Sequence, residues 1–327
     1  MTDLPYWPQA YPKTEATGNL KQHNADFKVT EMPLVQPSGA AEDEHIWLYI
    51  EKNGANTAWV AKRIAELAKV KEMDVGYAGM KDRHSISRQW FSIYLPRVAE
   101  PDFSQLNDDE VTLLEQTRHS KKLRRGDLVG NHFEIRLRDI QGDQAAIERN
   151  LEQVKMLGVP NYFGEQRFGH DGNNIEAGRA MLAGETRVKQ RNKKSIYLSA
   201  IRSLLFNEVL AARIEQGLWG QTLEGDVLNE ELQATGPMWG RGRSAAADQA
   251  LEIEQKIIDK YATLADGLEH AGLKQERRDL VSKPQALTWQ WLQEGEQTDL
   301  LLSFSLNAGH YATSVLKELL DVFEVQN

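Results

Sequence analysis

The most informative absence in the sequence is that of cysteine: none of its 327 residues is Cys. Without a thiol the chain cannot form disulfides, cysteine-ligated zinc sites or a thiolate nucleophile. Long apolar runs are missing too, so we expect no membrane-spanning segment. The first stretch, MTDLPYWPQAYPKTE, lacks the basic start and apolar core of a signal peptide. We therefore expect a cytoplasmic protein.

Signatures of cofactor and metal binding are also missing. A Walker-type loop ending in GK[ST], G-x-G-x-x-G, HExxH and G-x-S-x-G are all absent. Their absence disfavours nucleotide cofactors, zinc hydrolases and serine hydrolases. The eight histidines are scattered along the chain. We expect neither cofactor nor metal, although carboxylate-bound Mg²⁺ stays open. The remaining possibility is catalysis by a carboxylate.

Basic residues are outnumbered by acidic ones overall, 39 to 48, but they are concentrated in local clusters. The net charge of −9 argues at first against a polyanionic partner. Binding depends on local potential, however, and not on the average. Each cation cluster alone is explained by a solvated face, whereas several clusters in one acidic chain favour a phosphate-rich partner. The clusters are KDRHSISR at 81–88, RHSKKLRRG at 118–126, RVKQRNKK at 187–194 and GRGR at 240–243.

Hydrophobic periodicity predicts strands and helices in both halves of the chain. A two-residue period predicts strands at 46–53 and 131–138, strand-like runs predict two more at 25–34 and 89–96, and a capped amphipathic helix begins at Asn56 or Thr57. Another helix is predicted from near Asp143 to Gly158. From about 173 to 280 the pattern is mostly helical, strand character returns only at 299–309, and a last helix is predicted at 313–323. The sequence therefore predicts an α+β domain with a helical insertion, whose sheet the C-terminal segment completes.

One carboxylate lies among cations in GYAGMKDRHSISRQW, residues 76–90. Asp82 stands between Lys81 and Arg83, with Arg88 nearby. Charge pattern alone favours a surface turn whose charges neutralise one another. The alternative is a reactive carboxylate in an anion-binding cleft, which could act as a nucleophile or as a general acid or base. Neighbouring cations would favour its ionised form.

The same segment, YAGMKDRHSISRQW, resembles the catalytic segment of the tRNA pseudouridine synthase D (TruD) family. Further blocks resemble that family in the same order, from near residue 26 to 320, and so many separated matches make coincidence very unlikely. They are DFKVTE (26–31), KNGANT (52–57), KLRRGDLVGNHFEIRLR (122–138), GVPNYFGEQRFGHDGNN (158–174), RNKKSIYLSAIRSLLFNEV (191–209) and LNAGHYATSVLKELL (306–320).

The resemblance implies a fold and a reaction. The fold is a pseudouridine-synthase catalytic domain, a mostly antiparallel sheet with flanking helices, formed by residues 1–156 and 286–327. Residues 157–285 correspond to the mainly helical insertion domain of the family. The implied reaction isomerises uridine 13 of tRNA, in the D arm, to pseudouridine without cofactor or metal. A single active cleft would permit a monomer, and no protein partner is implied.

The resemblance also implies roles for individual residues. Asp82 aligns with the family's essential aspartate, against the alternative of a turn-capping residue. Lys81 and Arg83 would hold phosphate or the charge of Asp82, or simply form a solvated face. Phe133 and Tyr311 are expected to sandwich the uracil; the family more often has Phe where this chain has Tyr311.

Two further pocket residues and the basic clusters complete the expectations. Phe27 adds an aromatic ring, and Asn131 is expected to hydrogen-bond the base, although it could be a turn residue after Gly130. Phe133 itself could be a core residue of its alternating strand. The cations expected to contact the RNA backbone are Lys121, Lys122, Arg124, Arg125, Lys193 and Lys194.

Two other functions stay open at this point. A tRNA-binding protein without catalysis would share the basic and aromatic residues but would not need Asp82. A metal-dependent nuclease would need acidic partners near Asp82 to hold the ion, and the sequence offers none. The nuclease is the least favoured of the three.

Overall fold

The computed structural model describes residues 5–96 and 100–324. Its strands are β1 (Thr17–Leu20), β2 (Phe27–Pro33), β3 (His45–Asn53), β4 (Val75–Tyr77), β5 (Ile86–Tyr94), β6 (Val111–His119), β7 (Leu128–Gln141), β8 (Val159–Pro160), β9 (Thr235–Met238), β10 (Glu276–Asp279), β11 (Val281–Ser282), β12 (Gln285–Glu294), β13 (Gln297–Asn307) and β14 (Asp321–Glu324). Its helices are α1 (Thr57–Ala68), α2 (Gln144–Leu157), α3 (Asn173–Leu182), α4 (Arg191–Glu215), α5 (Asp248–Lys260), α6 (Ala262–His270) and α7 (Ala312–Lys317). Within the described ranges no helix is both long and apolar enough to cross a membrane.

The chain divides into two compact units, each built from three separate segments. We call the first the helical unit; it comprises residues 1–14, 145–283 and 311–319. The second, the sheet unit, comprises residues 15–144, 284–310 and 320–327. These limits differ from the expected domains, because 1–14, α2 and 311–319 belong to the helical unit. They do so through contacts such as the hydrogen bond from the Tyr11 hydroxyl to the Gly158 carbonyl, 2.6 Å long.

The sheet unit contains a sheet whose main path runs β12-β13-β7-β2-β5-β3-β6. Most of its neighbouring strands are antiparallel; β2 pairs with β5, and β1 with β14, in parallel. The α+β class, with a mostly antiparallel sheet and a mainly helical second part, is therefore confirmed. The long strand β7 pairs with both β2 and β13, so its side chains lie near the middle of the sheet.

Alternation along the strands sorts the sheet into two faces. In β7, the predicted inward residues Phe133, Ile135 and Leu137 are buried. Glu134 and Arg136 point the other way and form ion pairs with Lys28 and Asp299 on neighbouring strands. The buried face is therefore the one that carries Phe133. On it the register aligns Glu31 of β2 with Asn131 of β7.

Helix α1 begins as the sequence predicts. The side-chain oxygen of Asn56 accepts a hydrogen bond from the Ala58 amide at 2.8 Å, which satisfies one free N–H of the first turn. The helix ends at Lys69, whose φ of 54° is left-handed and stops the helical path. Val60 and Ile64 are fully buried against the sheet side chains. The helix thereby fixes the start of the segment that leads to β4.

The helical unit has its own core around α4. Leu204, Leu205 and Phe206 are fully buried there, together with side chains from α3, α6 and the segment that follows β8. An ion pair between Arg213 and Asp226 is also buried, at 2.7 Å. A separate core of this size explains why the unit is compact by itself.

Two regions in the C-terminal half differ from the sequence prediction. Strands occur before 299: β9, β10 and β11 lie in the stretch expected to be mostly helical, and β12 forms the edge of the sheet beside β13. The predicted last helix, 313–323, is too long. It ends at Lys317, and Asp321–Glu324 forms β14 instead, since β1 offers a free edge with which it pairs in parallel.

A buried carboxylate makes the helical unit sensitive to pH. Burial raises the pKa of Glu318 to about 7. Hydrogen bonds from the amides of Tyr11 and Ala10 and the charge of Lys317 act in the opposite direction but do not outweigh burial. A carboxyl whose pKa is raised on folding contributes to the stability of the folded state. This contribution is complete below the pKa of the carboxyl in the unfolded chain, and it is lost as the pH rises through 7. A shift of this size corresponds to about 3 kcal/mol.

We expect Glu318→Gln to remove this pH dependence. The glutamine oxygen can accept both backbone hydrogen bonds without carrying a charge. Urea unfolding between pH 5 and pH 8 should show a wild-type stability that falls with pH and a variant that stays level. Glu296→Gln, at an exposed position, is the control and should behave as the wild type. Parallel pH profiles for the wild type and Glu318→Gln would contradict this assignment.

Candidate active site

Asp82 lies in the loop between β4 and β5 of the sheet unit. Its side chain is 29% exposed, so the carboxylate is partly open to solvent. Oδ2 lies 2.5 Å from Nζ of Lys21, and Oδ1 accepts a hydrogen bond of 3.1 Å from the His84 amide. The carboxylate is therefore oriented through both of its oxygens. The bond from the His84 amide lies within the turn itself, as a turn-capping residue would make it, so the catalytic role of Asp82 stays a prediction.

Lys21 is the cation that the sequence did not single out. Its side chain is only 8% exposed and its ammonium also contacts Glu324 at 3.0 Å and lies 4.9 Å from the centroid of the Phe27 ring. Burial opposes its charge, but hydrogen bonds and charges of Asp82 and Glu324 outweigh burial and raise the pKa of Lys21. Because it stays protonated, Lys21 gives Asp82 a fixed positive neighbour.

Lys81 forms a buried ion pair with Glu31. The Lys81 ammonium lies 2.7 Å from the Glu31 carboxylate, and the two side chains are 4% and 0% exposed. Glu31 also accepts a hydrogen bond from the Trp90 amide at 3.3 Å. The charge of Lys81 is therefore paired with Glu31, and this ion pair fixes the residue immediately before Asp82.

Buried hydrogen bonds hold the backbone of the same loop. The Thr57 hydroxyl accepts from the Lys81 amide at 3.1 Å and donates to the Gln89 side chain at 3.0 Å. Gln89 in turn donates to the Gly79 carbonyl at 3.1 Å. Thr57 and Gln89 are both fully buried, and such networks are rigid when every member is satisfied. The position of Asp82 is therefore determined by residues of α1 and β5 as well as by its own loop.

Lys52 is a further buried lysine of this region. Its ammonium donates to the Ala55 carbonyl at 3.2 Å, and the side chain is completely buried. Burial, reinforced by the charge of Lys81, lowers the pKa of Lys52 to about 8, against the opposing influence of Asp82 and Glu31. A buried lysine of this kind is close to losing its proton at neutral pH.

The two arginines near Asp82, Arg83 of the loop and Arg88 of β5, are exposed. Arg83 donates to the Gly54 carbonyl at 3.3 Å, and Arg88 pairs with Glu51 at 2.7 Å on the opposite face of the sheet. Arg83 is therefore available to an anion, whereas Arg88 already has a carboxylate partner. His84 is exposed as well.

Three phenylalanines form a buried aromatic row on the sheet. The centroid of the Phe133 ring lies 6.1 Å from that of Phe27 and 5.6 Å from that of Phe304. Phe133 is 7% exposed, so its ring packs as part of the core in this structure. Its capacity to stack on a base stays a prediction. Phe27 places the same row beside Lys21.

Asn131 lies within β7 and not in a turn after Gly130. Its side-chain oxygen is buried and has no hydrogen-bond partner in the described part of the chain. A buried acceptor without a partner carries a free-energy cost, which a ligand donor would remove. The imide N–H of uracil is a donor of this kind.

Tyr311 belongs to the helical unit, whereas Asp82 and Phe133 belong to the sheet unit. Its hydroxyl accepts a hydrogen bond of 3.1 Å from Arg167, and its ring lies 6.3 Å from that of Phe163. Arg278 stacks on Phe163 at 4.1 Å, and burial lowers the pKa of Arg278 to about 10. The expected sandwich of Tyr311 with Phe133 therefore joins residues of two units and stays a prediction.

The expected RNA-contacting cations fall in two places. Lys121, Lys122, Arg124 and Arg125 follow β6 in the sheet unit, and Lys193 and Lys194 lie in the first turn of α4. Lys121, Arg124, Lys193 and Lys194 are exposed, and none of the six pairs with a carboxylate of the described residues. No cluster of potential metal ligands occurs in the described ranges.

The α+β fold holds an oriented carboxylate, Asp82, in the segment that resembles the family, and comparison with known proteins shows to which family the chain belongs. A family model described as tRNA pseudouridine synthase D (TruD) matches residues 10–191 and 228–319. A tRNA pseudouridine synthase D of Aeromonas hydrophila is 47% identical, over 95% of this chain and 93% of that protein. One of Xanthomonas campestris pv. campestris is 43% identical, over 99% and 97%. The chain therefore belongs to the TruD family.

A solved structure agrees with this fold. The crystal structure of a Methanosarcina mazei protein, described provisionally as a tRNA pseudouridine synthase D, covers 96% of this chain and 95% of that one, with a TM-score of 0.74. The two sequences are only 20% identical. The likeness therefore concerns the fold, which these distant sequences share.

Proposed function

We propose that this protein isomerises uridine 13 of tRNA, in the D arm, to pseudouridine, with Asp82 as its catalytic carboxylate and without cofactor. Membership of the TruD family supports the reaction and the tRNA substrate. The observation that carries the assignment of Asp82 is its ion pair with the buried Lys21 in a loop held by Thr57 and Gln89. A surface turn does not need such anchoring.

The reaction exchanges one bond of the base for another. The bond from N1 of uracil to C1′ of the ribose breaks, the base rotates, and C5 forms the new bond to C1′. N1 gains a proton and C5 loses one, so atoms balance within the nucleotide. Asp82 either attacks C1′ or removes the 2′ proton, and both routes require an ionised, oriented carboxylate. Lys21 supplies the orientation and the compensating charge.

Binding of the target uridine requires that the base leave its stack. A flipped base needs apolar flat surfaces and polar groups for its edge. We assign the first role to Phe27, Phe133 and Tyr311. We assign the second to Asn131, whose buried oxygen lacks a partner among the described residues. Arg83, exposed beside Asp82, would contact a phosphate, while Lys81 acts through Glu31 to hold the loop.

The basic clusters would bind the RNA backbone. Lys193 and Lys194 lie in the first turn of a 25-residue helix, α4, where their charges are unfavourable next to the positive end of the helix dipole. A phosphate at this place would relieve both. The same end borders a cavity of about 380 Å³ lined by Arg187, Lys189 and Lys193.

The double variant Lys193→Gln/Lys194→Gln should weaken tRNA binding mainly at low salt. Loss of two phosphate contacts reduces the slope of log Kd against log salt by about 1 to 2. Fluorescence anisotropy with an unmodified tRNA transcript at several salt concentrations measures it. Lys256→Gln/Lys274→Gln, two exposed lysines of the same unit, is the control. Equal slopes for the two double variants would contradict the assignment.

We propose, as the family resemblance implies, that residues 1–156 and 286–327 carry catalysis and that 157–285 forms the insertion domain that helps to bind tRNA. This functional division differs from the two compact units, in which 1–14, α2 and 311–319 pack with the helical unit. We further propose that one chain acts as a monomer in the cytoplasm, since one Asp82 suffices and no other protein is needed.

Mapping of pseudouridine on tRNA transcripts tests the proposed function. Unmodified transcripts are incubated with purified protein and treated with a carbodiimide, and stops of reverse transcription are located. We expect one new stop at position 13, and none at that position in a transcript with cytidine there. A new stop elsewhere would keep the reaction but overturn the position. Binding of tRNA without any new stop would favour the alternative, a tRNA-binding protein without catalysis.

A further inference from the structure

A cavity of about 600 Å³ in the sheet unit has no role in the proposed reaction. Its walls are β4 and the segment 122–125, and its lining includes Tyr77, Lys122, Arg124, Arg125 and the highly exposed Met73. A volume of this size is typical of small-ligand sites. The cavity lies where β4 leads into the Asp82 loop, five residues before the carboxylate.

An arginine stacks on a tyrosine at this cavity. The guanidinium carbon of Arg125 lies 4.2 Å from the centroid of the Tyr77 ring, and its Nη2 donates to the Tyr77 hydroxyl at 2.9 Å. This bond fixes the plane of the guanidinium, and Arg125 remains exposed. An oriented guanidinium plane is a surface on which nucleobases stack.

Glu72 also lines the cavity, but the three cations form no ion pair among the described residues. Lys122 donates to the Met73 carbonyl at 2.7 Å, and Arg125 contacts only Tyr77 and the Met80 sulfur among the interactions of the described residues. Arg124 is exposed and has no side-chain partner among them. Cations that are neither paired nor buried in a protein of net charge −9 are suited to an anion from outside.

The wall that carries these cations is rigidly joined to β4. A side-chain carbon at Gly76 would lie 2.2 Å from the Leu123 carbonyl oxygen, so only glycine permits this approach. The Leu123 amide donates to the Ser92 hydroxyl at 2.8 Å, and the Gly126 amide donates to the Ala78 carbonyl at 2.9 Å. The segment is therefore fixed on both sides of Arg124 and Arg125, and the cavity is formed in advance.

We propose that this cavity binds one unpaired nucleotide of the RNA substrate, outside the target uridine. The base stacks on the outer face of the Arg125 guanidinium, and the adjoining phosphate is held by Arg124 and Lys122. The proposal rests on the proposed function, because it presupposes an RNA substrate. It assigns different roles to adjacent residues. Arg125 acts through its planar guanidinium, on which the base stacks, whereas Arg124 contributes only its positive charge.

The affinity of each variant for an unmodified tRNA transcript, measured at several salt concentrations, distinguishes the stacking role from the charge role. We expect Arg125→Lys to weaken binding about fivefold or more while the salt slope stays unchanged, because charge is kept and stacking is lost. Arg124→Lys should bind as the wild type, and Arg124→Gln should reduce the salt slope by about 1. Lys62→Gln, an exposed lysine paired with Glu66 on α1, is the control for loss of charge. Wild-type affinity of Arg125→Lys and Arg125→Gln would overturn the proposal.

Crosslinking locates the nucleotide, and the absence of native cysteine makes it specific. Met73→Cys places a single thiol at the cavity, and Met156→Cys places one on α2 in the helical unit; the two methionines are 76% and 56% exposed. Each thiol is labelled with an azidophenacyl group, irradiated with tRNA, and mapped by reverse transcription. We expect the Met73→Cys variant to crosslink at one or two unpaired nucleotides that the Met156→Cys variant does not reach. No crosslink, or the same crosslinks from both positions, would overturn the proposal.

The outcomes distinguish this proposal from the proposed function. If the wild type forms pseudouridine but the Arg125 variants bind and crosslink as it does, the cavity is not a nucleotide site and the function stands. If the wild type neither binds tRNA nor forms pseudouridine, both proposals fail together. Circular dichroism spectra identical to the wild type are required of each variant, so that loss of folding is not counted as loss of binding.

Discussion

Asp82→Asn should abolish pseudouridine formation while tRNA binding stays within about twofold of the wild type. The amide has nearly the same size but can neither attack C1′ nor remove a proton, and loss of such a group costs a factor of about 10³ or more. The variant also loses the charge that faces Lys21, but we expect the fold to tolerate it, because Lys21 keeps Glu324 as a partner and the Asp82 side chain is 29% exposed.

Single-turnover rates with excess protein measure this effect, because they are independent of product release. Asp109→Asn, which replaces an exposed carboxylate of the same unit, is the control and should have the wild-type rate. A rate for Asp82→Asn within tenfold of the wild type would exclude Asp82 as the catalytic group. Loss of tRNA binding together with activity would assign Asp82 to binding instead.

Glu31→Gln should have the largest effect on stability in the sheet unit. It leaves the buried Lys81 without its carboxylate, and removal of one partner of a buried pair costs about 3–5 kcal/mol. Because Lys81 precedes Asp82, we also expect a loss of activity in the fraction that remains folded. Urea unfolding gives the first quantity and the single-turnover rate the second.

The double variant Glu31→Gln/Lys81→Met makes the test specific. Removal of both charges avoids the unpaired ammonium, so the double variant should be more stable than Glu31→Gln alone. The activity need not return with the stability, since Lys81 no longer anchors the loop. Equal destabilisation of the single and double variants would show that the ion pair is not what Glu31 provides.

Local patterns in the sequence predicted the elements that lie in the middle of the sheet and against it. Period-two alternation identified β3 and β7, strand-like runs identified β2 and β5, and the Asn56 cap identified the start of α1. In β7 one face lies in the core and the other does not, so its pattern is clear, whereas β5 is buried along most of its length on both faces. The prediction missed β12 although Leu287, Trp289 and Trp291 alternate there with Thr288 and Gln290, and it missed β14 because four residues are too few for a period.

The candidate site was only partly predictable for a different reason. Asp82 and its neighbours form one continuous segment, so their likeness to the TruD family is visible in the sequence. Lys21 and Glu31 contact this segment across 61 and 50 residues, and nothing local to them indicates the contact. Thr57 appears in sequence as the start of a helix, although its hydroxyl also holds the Asp82 loop. Contacts between residues so far apart in the sequence can be identified only from the structure.

Release of tritium from tRNA labelled as [5-³H]uridine tests the central claim most directly. Formation of the new bond at C5 expels the tritium, so its release counts the isomerisation itself without added cofactor. We predict about one equivalent per tRNA with the wild-type protein, none with Asp82→Asn, and none from a transcript with cytidine at position 13. Undiminished release by Asp82→Asn, or no release by a wild-type protein that binds the tRNA, would contradict the account.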